Sequence, residues 1–150
     1  MKFKEYLLNE TVVTYVKQSG KSAFIHKNPT SKYIENDSFE KEDGKRYKTQ
    51  QFRGLITKNG DYYMWNSYIL HDFAIKALIA DGKQINDNDV IARTLYNPSD
   101  GYLWIGNAKG HDARDPSFED IKKLLGHSNF IKFANNLHTA TPKVNIEDLQ

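Results

Sequence analysis

The chain contains no cysteine, which removes disulfides and thiolate metal sites and fits a cytosolic protein. It has no apolar run near the roughly eighteen residues that a membrane-crossing helix needs, so no membrane partner is expected. Its first residues, Met-Lys-Phe-Lys-Glu-Tyr-Leu-Leu-Asn-Glu, lack the apolar stretch and small-residue cleavage site of a signal peptide. Charge of one sign is scarce too. Lys and Arg number 21 against 19 Asp and Glu, a net of +2 that does not by itself imply a polyanionic partner. The small excess is N-terminal: residues 1–48 hold ten basic against seven acidic side chains, most visibly in Lys45-Arg46-Tyr47-Lys48. No P-loop, zinc-ligand spacing or nucleophile elbow occurs, and no cofactor is expected.

What is present is a motif written twice. Residues 60–72 read G-D-Y-Y-M-W-N-S-Y-I-L-H-D, and residues 100–112 read D-G-Y-L-W-I-G-N-A-K-G-H-D. Each copy has a turn, then Tyr-x-Trp, then His-Asp. The only two tryptophans, Trp65 and Trp104, sit in these copies. The chain's 150 residues suit one domain, and 39% hydrophobic with 13% aromatic content predicts a core rich in Tyr and Phe.

Periodicity and turn chemistry give the elements. Residues 2–18 suggest a helix, with Phe3, Tyr6, Leu7, Val13 and Val16 on one face and Gly20 as its stop, although Thr11-Val12-Val13-Thr14 is β-branched. Ser22–His26 reads as a short strand. Residues 31–48 are polar and read as a long loop with one helical turn at Asp37–Lys41. Gln51–Thr57 and Asp61–Asn66 form a hairpin across Asn59-Gly60, where a type I′ turn would place both residues at positive φ. A helix comes next over Ser67–Ala80, capped by Ser67 or Asn66 and ended by Asp81-Gly82. Val90–Tyr96 and Tyr102–Gly106 make a second hairpin, with Gly101 in the left-handed position. Ser117-Phe118-Glu119-Asp120 resembles a capping box for a helix closed by Gly126, and Ser128–His138 forms the last helix. The expected fold is α+β: a mainly antiparallel sheet of about five strands, two hairpins plus a short strand, with helices packed on one face. Residues 1–138 form the single domain and 139–150 an extended C-terminal tail.

Alternation along the strands puts Tyr63 and Trp65 on one face, and likewise Tyr102 and Trp104. Such pairs are usually packing; as function, Tyr63 and Trp65, with Asn28, would bind a ligand by stacking and hydrogen bonding. Arg53 sits inside a predicted strand on the face of Leu55, where a charge needs a partner or a ligand. His71 has the chemistry of an acid/base near neutral pH. Arg53 and His71 are thus the catalytic candidates if the chain is an enzyme. Lys45, Arg46 and Lys48, interleaved with Tyr47, suit a nucleic-acid backbone. His111 precedes Asp112 and Asp115, but with no second cluster these make no metal site.

The elements Phe-Ile-His-Lys-Asn-Pro-Thr-Ser-Lys at 24–32, Arg-Gly-Leu-Ile-Thr at 53–57, Asn-Gly-Asp-Tyr-Tyr-Met-Trp at 59–65, and His71 together resemble a small-domain pattern of tailed-bacteriophage proteins. The resemblance covers residues 24–80 and brings no established activity with it. It implies a phage-encoded origin, a location in the virion or host cytoplasm, and Asn28, Pro29, Arg53, Gly54, Trp65 and His71 as the positions to test first.

Three functions are compatible with these features. The first is a non-catalytic interaction protein, virion-associated or binding a host factor, whose tail at 139–150 could dock on a partner. The second is a small metal-independent nuclease or nucleotide-processing enzyme, with Arg53 on phosphate charge and His71 as acid/base. The third is a sequence-tolerant nucleic-acid binder. The first is preferred, and where the motif carries function, its first copy is the expected carrier, with the second kept for packing.

Overall fold

The computed structural model describes residues 12–83, 85–109 and 114–145. Within them an eight-stranded antiparallel sheet is joined by four helices, an α+β arrangement. The strands are β1 (Val12–Gln18), β2 (Lys21–Lys27), β3 (Ser38–Glu40), β4 (Arg46–Lys48), β5 (Phe52–Thr57), β6 (Tyr62–Asn66), β7 (Val90–Asn97) and β8 (Tyr102–Asn107). The helices are α1 (Ser31–Asn36), α2 (His71–Ala80), α3 (Phe118–Leu125) and α4 (His127–Ala140).

Strand order runs β4-β3-β2-β6-β5-β7-β8, with β1 also paired to β2. β1 pairs with β2 from Lys21 to His26, while the remaining side of β2 is shared between β3 at Ser22 and β6 at His26 and Lys27. The sheet therefore forks at β2. Both faces carry a core. On one face Phe52, Ile56, Tyr62, Met64, Ala92, Tyr96 and Leu103 pack under α1, α3 and α4 through Ile34, Phe118, Ile121, Leu125, Phe133 and Leu137. On the other, Ile25, Leu55, Tyr63 and Trp65 pack under α2 through Ala74, Ile75 and Leu78. All of β6 is buried, so Tyr62 to Trp65 puts large side chains on both faces and the buried-exposed alternation of a one-sided strand is absent.

Several expectations hold. The hairpins β5–β6 and β7–β8 pair in register. Ser117 and Asp120 complete the capping box of α3, and Gly126 ends it at φ 78°.

Others need correction. Among the described residues the sheet has eight strands, not about five, and helices cover both faces rather than one. Of the expected helix at 2–18, residues 2–11 lie outside the described segment, and 12–18 is strand β1. There the β-branched Val12-Val13-Thr14 and the alternation of buried Thr14 and Val16 with exposed Tyr15 and Lys17 prevail over helical spacing. Ser19 and Gly20, at φ 49° and 80°, form the turn into β2 instead of a helix stop. The expected loop at 31–48 contains α1 and the β3–β4 hairpin. At Asn59-Gly60 only Gly60 takes a positive φ, 86°, in a turn closed by Gly60 N–H donating to the Thr57 carbonyl.

α2 starts at His71, not Ser67. Residues 66–70 are held as a turn: Asn66 Oδ1 accepts from the Tyr68 amide, the Ile69 amide donates to the Asn66 carbonyl, and the Trp65 indole donates to the Ile69 carbonyl at 2.7 Å. Neither Ser67 nor Asn66 is the cap; Leu70 stands there, without a side-chain cap bond. The tail is not extended where it is described. α4 runs to Ala140, Thr141 is buried, and Val144 packs into the core beneath α3 and α4.

Candidate functional site

The strand registers place two rows of side chains on the sheet face that carries α2. One row is Trp65, Arg53, Leu95 and Trp104, on β6, β5, β7 and β8. The adjacent row is Tyr63, Leu55, Arg93 and Gly106. α2 covers the Trp65 end of these rows, because Trp65 and Leu55 belong to the core under Ala74, Ile75 and Leu78. At the β7–β8 end Arg93 and Leu95 are half-buried, Trp104 is 39% exposed and Tyr102 62% exposed. Gly106 is what lets Trp104 lie down. A Cβ at that glycine would collide with the six-membered part of the indole, so the ring rests on the bare backbone of β8 with its outer side toward solvent.

Two guanidiniums stand between the covered and open halves. Arg53 donates from Nε to the Ser67 carbonyl at 2.8 Å. It makes no ion pair with any described residue. Burial, and then the charge of Arg93, lower its pKa, yet a guanidinium stays charged throughout the accessible range. Arg93 reaches Asp72 Oδ1 with Nη2 at 3.5 Å, and its Nε is shielded from water with no hydrogen-bond partner among the described residues.

His71 lies on this same face, so the structure does bring it together with Arg53. Its state does not suit an acid/base. It is 6% exposed, its Nε2–H donates to the Gly54 carbonyl at 3.1 Å, and its ring meets the Trp65 indole edge-on at 5.4 Å. Burial first, then the charges of Arg93 and Arg53, push its pKa down to about 4 against the weaker pull of the Gly54 hydrogen bond and Asp72. It is therefore neutral at physiological pH, with one nitrogen committed to backbone.

The other expected ligand residues are built into the fold. Trp65 is fully buried, leaving no ring face for a stacked ligand. Tyr63 is buried, and burial with the charges of Asp61 and Asp89 pushes its hydroxyl up to about 12. Asn28 uses both ends of its amide: Oδ1 accepts from the Tyr62 amide at 2.8 Å and Nδ2 donates to Asp61 at 3.1 Å. Asn28 stands at φ 49°, where the chain leaves β2. Gly54 is there for space, since a Cβ would meet the Tyr63 carbonyl oxygen at 2.7 Å as well as the Thr94 side chain.

Lys45, Arg46 and Lys48 are exposed at the β3–β4 hairpin, at the far end of the sheet. Register puts Phe39 and Tyr47 on the α2 face, so Arg46 and Lys48 project to the opposite one. Arg46 is engaged there with Ser38 through its hydroxyl and carbonyl. His111 and Asp112 lie outside the described residues, and Asp115 accepts the Asn107 amide.

Two features were not expected. One is Arg93, although it carries the same signal in the sequence as Arg53, a charge inside a strand. The other is a buried polar chain that links His26 Nε2 to Asp37 at 2.8 Å, Thr49 Oγ1 to Asp37 at 2.6 Å and Asn66 Nδ2 to Thr49 at 3.2 Å. It fills the fork where β2 changes partner from β3 to β6, and His26 Nδ1 is left unpartnered there among the described residues.

Among the described residues no cluster of three or more His, Asp or Glu could hold a metal ion, and no helix is long and apolar enough to cross a membrane. Comparison of the chain with protein-family models, with curated proteins and with solved structures found no match in any of the three.

Proposed function

We propose that this chain is a non-catalytic binding protein whose contact surface is the half-open sheet face around Arg53, Arg93 and Trp104. The observation that carries this reading is the pairing of two guanidiniums, one with no carboxylate partner among the described residues, with an indole whose outer side is exposed. A half-buried guanidinium that meets only a backbone carbonyl has its charge poorly compensated, and a ligand anion would offset that cost. The nearest acid/base candidate, His71, is buried, neutral and bonded to backbone, which favours binding over turnover. Placement of the protein in a phage virion or in the host cytoplasm rests on the resemblance over residues 24–80 alone.

The test is capture of partners by the wild-type chain and by an Arg53→Gln, Arg93→Gln, Trp104→Ala triple variant of verified fold. Partners held by the wild type should be lost by the variant. An unchanged set of partners, or turnover of RNA or nucleotides abolished by His71→Gln, would overturn the reading.

A further inference from the structure

We infer that this face takes single-stranded nucleic acid, with phosphate held at Arg53 and Arg93 and the neighbouring base laid on the outer side of Trp104. The inference rests on the reading of the face as a contact surface and names its occupant.

Arg53 and Arg93 are diagonal neighbours on adjacent strands, since Arg53 pairs with Leu95 and Leu55 with Arg93. Diagonal neighbours lie within about 8 Å, so both long side chains can reach one phosphate or two successive ones. Guanidinium forks match phosphate oxygens in pairs, and such charge-assisted bonds are stronger than neutral ones. Here the present partners are weak. Arg53 has one backbone carbonyl, and Arg93 has a carboxylate at 3.5 Å whose own side chain is 78% exposed and free to turn away. The two positive charges also repel each other, and an anion between them relieves that.

Trp104 is directly across from Leu95, one strand spacing of about 5 Å beyond it. A ring lying over Gly106 on an edge strand offers a flat surface to one splayed base, which any base can use. A duplex hides its base faces and cannot use the indole this way. An acidic peptide would answer the guanidiniums but brings no plane for the indole.

The experiment is fluorescence anisotropy with fluorescein-labelled oligouridylate and oligothymidylate of about a dozen nucleotides, a length that spans one such binding face. Affinity should fall with salt, with a log–log slope of about −1.4 if two phosphates are neutralised. Trp104→Ala should weaken binding about tenfold or more, the loss of one stacked base. Arg53→Gln with Arg93→Gln should flatten the salt slope, and Asp72→Asn, which removes the competing carboxylate, should tighten binding severalfold. Independently of whether the arginine variants fold, the oligonucleotide should quench indole emission in the wild type and not in Trp104→Phe. No binding at low salt overturns the inference, as does a Trp104→Ala variant that binds like wild type. Binding abolished by a Lys45, Arg46, Lys48→Ala variant but not by Trp104→Ala would move the site to the β3–β4 hairpin and overturn it too. Competition by polyglutamate as effective as by unlabelled oligonucleotide would assign the face to an acidic protein. A protein partner that survives nuclease treatment and is lost in the triple variant would leave the contact surface standing while this inference fails.

Discussion

The two copies of Tyr-x-Trp begin alike and end in opposite environments. Trp65 is fully buried, with its indole N–H on the Ile69 carbonyl and its ring against His71. Trp104 rests on Gly106 at the sheet edge and is 39% exposed. The difference lies in where the chain goes after each strand. After β6 a tight turn returns α2 across the sheet, and Ala74, Ile75 and Leu78 close over Trp65. After β8 the chain leads by way of residues 114–117 to α3, which packs on the opposite face. The expectation that the first copy carries function and the second packs is therefore reversed in burial: the first is core, and the second is where an aromatic surface is available.

The largest expected effect tests that division directly. Trp65→Ala should cost about 3–5 kcal/mol of stability, the usual cost of truncating a large aromatic in a closed core. Trp104→Ala should cost about 1 kcal/mol or less, because solvent already reaches the ring. Urea unfolding of both variants measures the two values. Similar losses at the two positions would break the comparison.

A pH dependence should belong to the first copy. The folded protein holds His71 at about 4, against 6.5 for a free histidine. Between those values the unfolded chain binds a proton that the folded one refuses, so stability falls as pH drops from about 6.5 to 4 and this contribution levels off below that. Its full size is of order 3 kcal/mol, taking about 1.4 kcal/mol per pKa unit. His71→Gln should lose this part of the acid sensitivity. Urea midpoints at two pH values for wild type and variant provide the check, and an identical acid loss in both would remove the claim.

Much of the fold is legible in the sequence, for local reasons. Hairpins β5–β6 and β7–β8 come from alternation and turn residues, and α3 from a capping box of four adjacent residues. The elements that are not legible depend on distant contacts. Val12–Gln18 is a strand because β2 offers an edge, and no residue within the segment announces that edge. α1 and the β3–β4 hairpin are short and polar, and their placement depends on Ile34 and Phe39 reaching opposite cores. Arg53 and His71 do share a face, yet their sequence could not reveal that the histidine's Nε2 is spent on the Gly54 carbonyl. The buried chain from His26 through Asp37 and Thr49 to Asn66 draws on four separate segments, so no spacing rule could have found it.

Each copy also depends on one glycine, and the two should differ in cost. At Gly54 an added methyl meets the Tyr63 carbonyl oxygen at 2.7 Å, backbone that cannot move without disturbing the β5–β6 pairing. Gly54→Ala should lose about 1–3 kcal/mol, as overpacking in a closed site does. At Gly106 the obstacle is the far end of the Trp104 ring, which can swing outward. Gly106 is itself buried under that ring, but the ring it would displace is 39% exposed, so Gly106→Ala should shift stability by about 1 kcal/mol or less. Urea unfolding of the two variants reads both values, and a larger loss at Gly106 than at Gly54 would count against the open placement of Trp104.

The smallest effect is spectroscopic. With only two tryptophans, Trp104→Phe leaves Trp65 as the sole indole and Trp65→Phe leaves Trp104. The first variant should emit at shorter wavelength and resist acrylamide quenching, since no solvent reaches Trp65. The second should emit at longer wavelength and quench readily, and adding Gly106→Ala should increase that quenching as the ring lifts off β8. Equal quenching of the two single-tryptophan variants would mean that α2 does not close over Trp65, and with that the asymmetry between the copies would be lost.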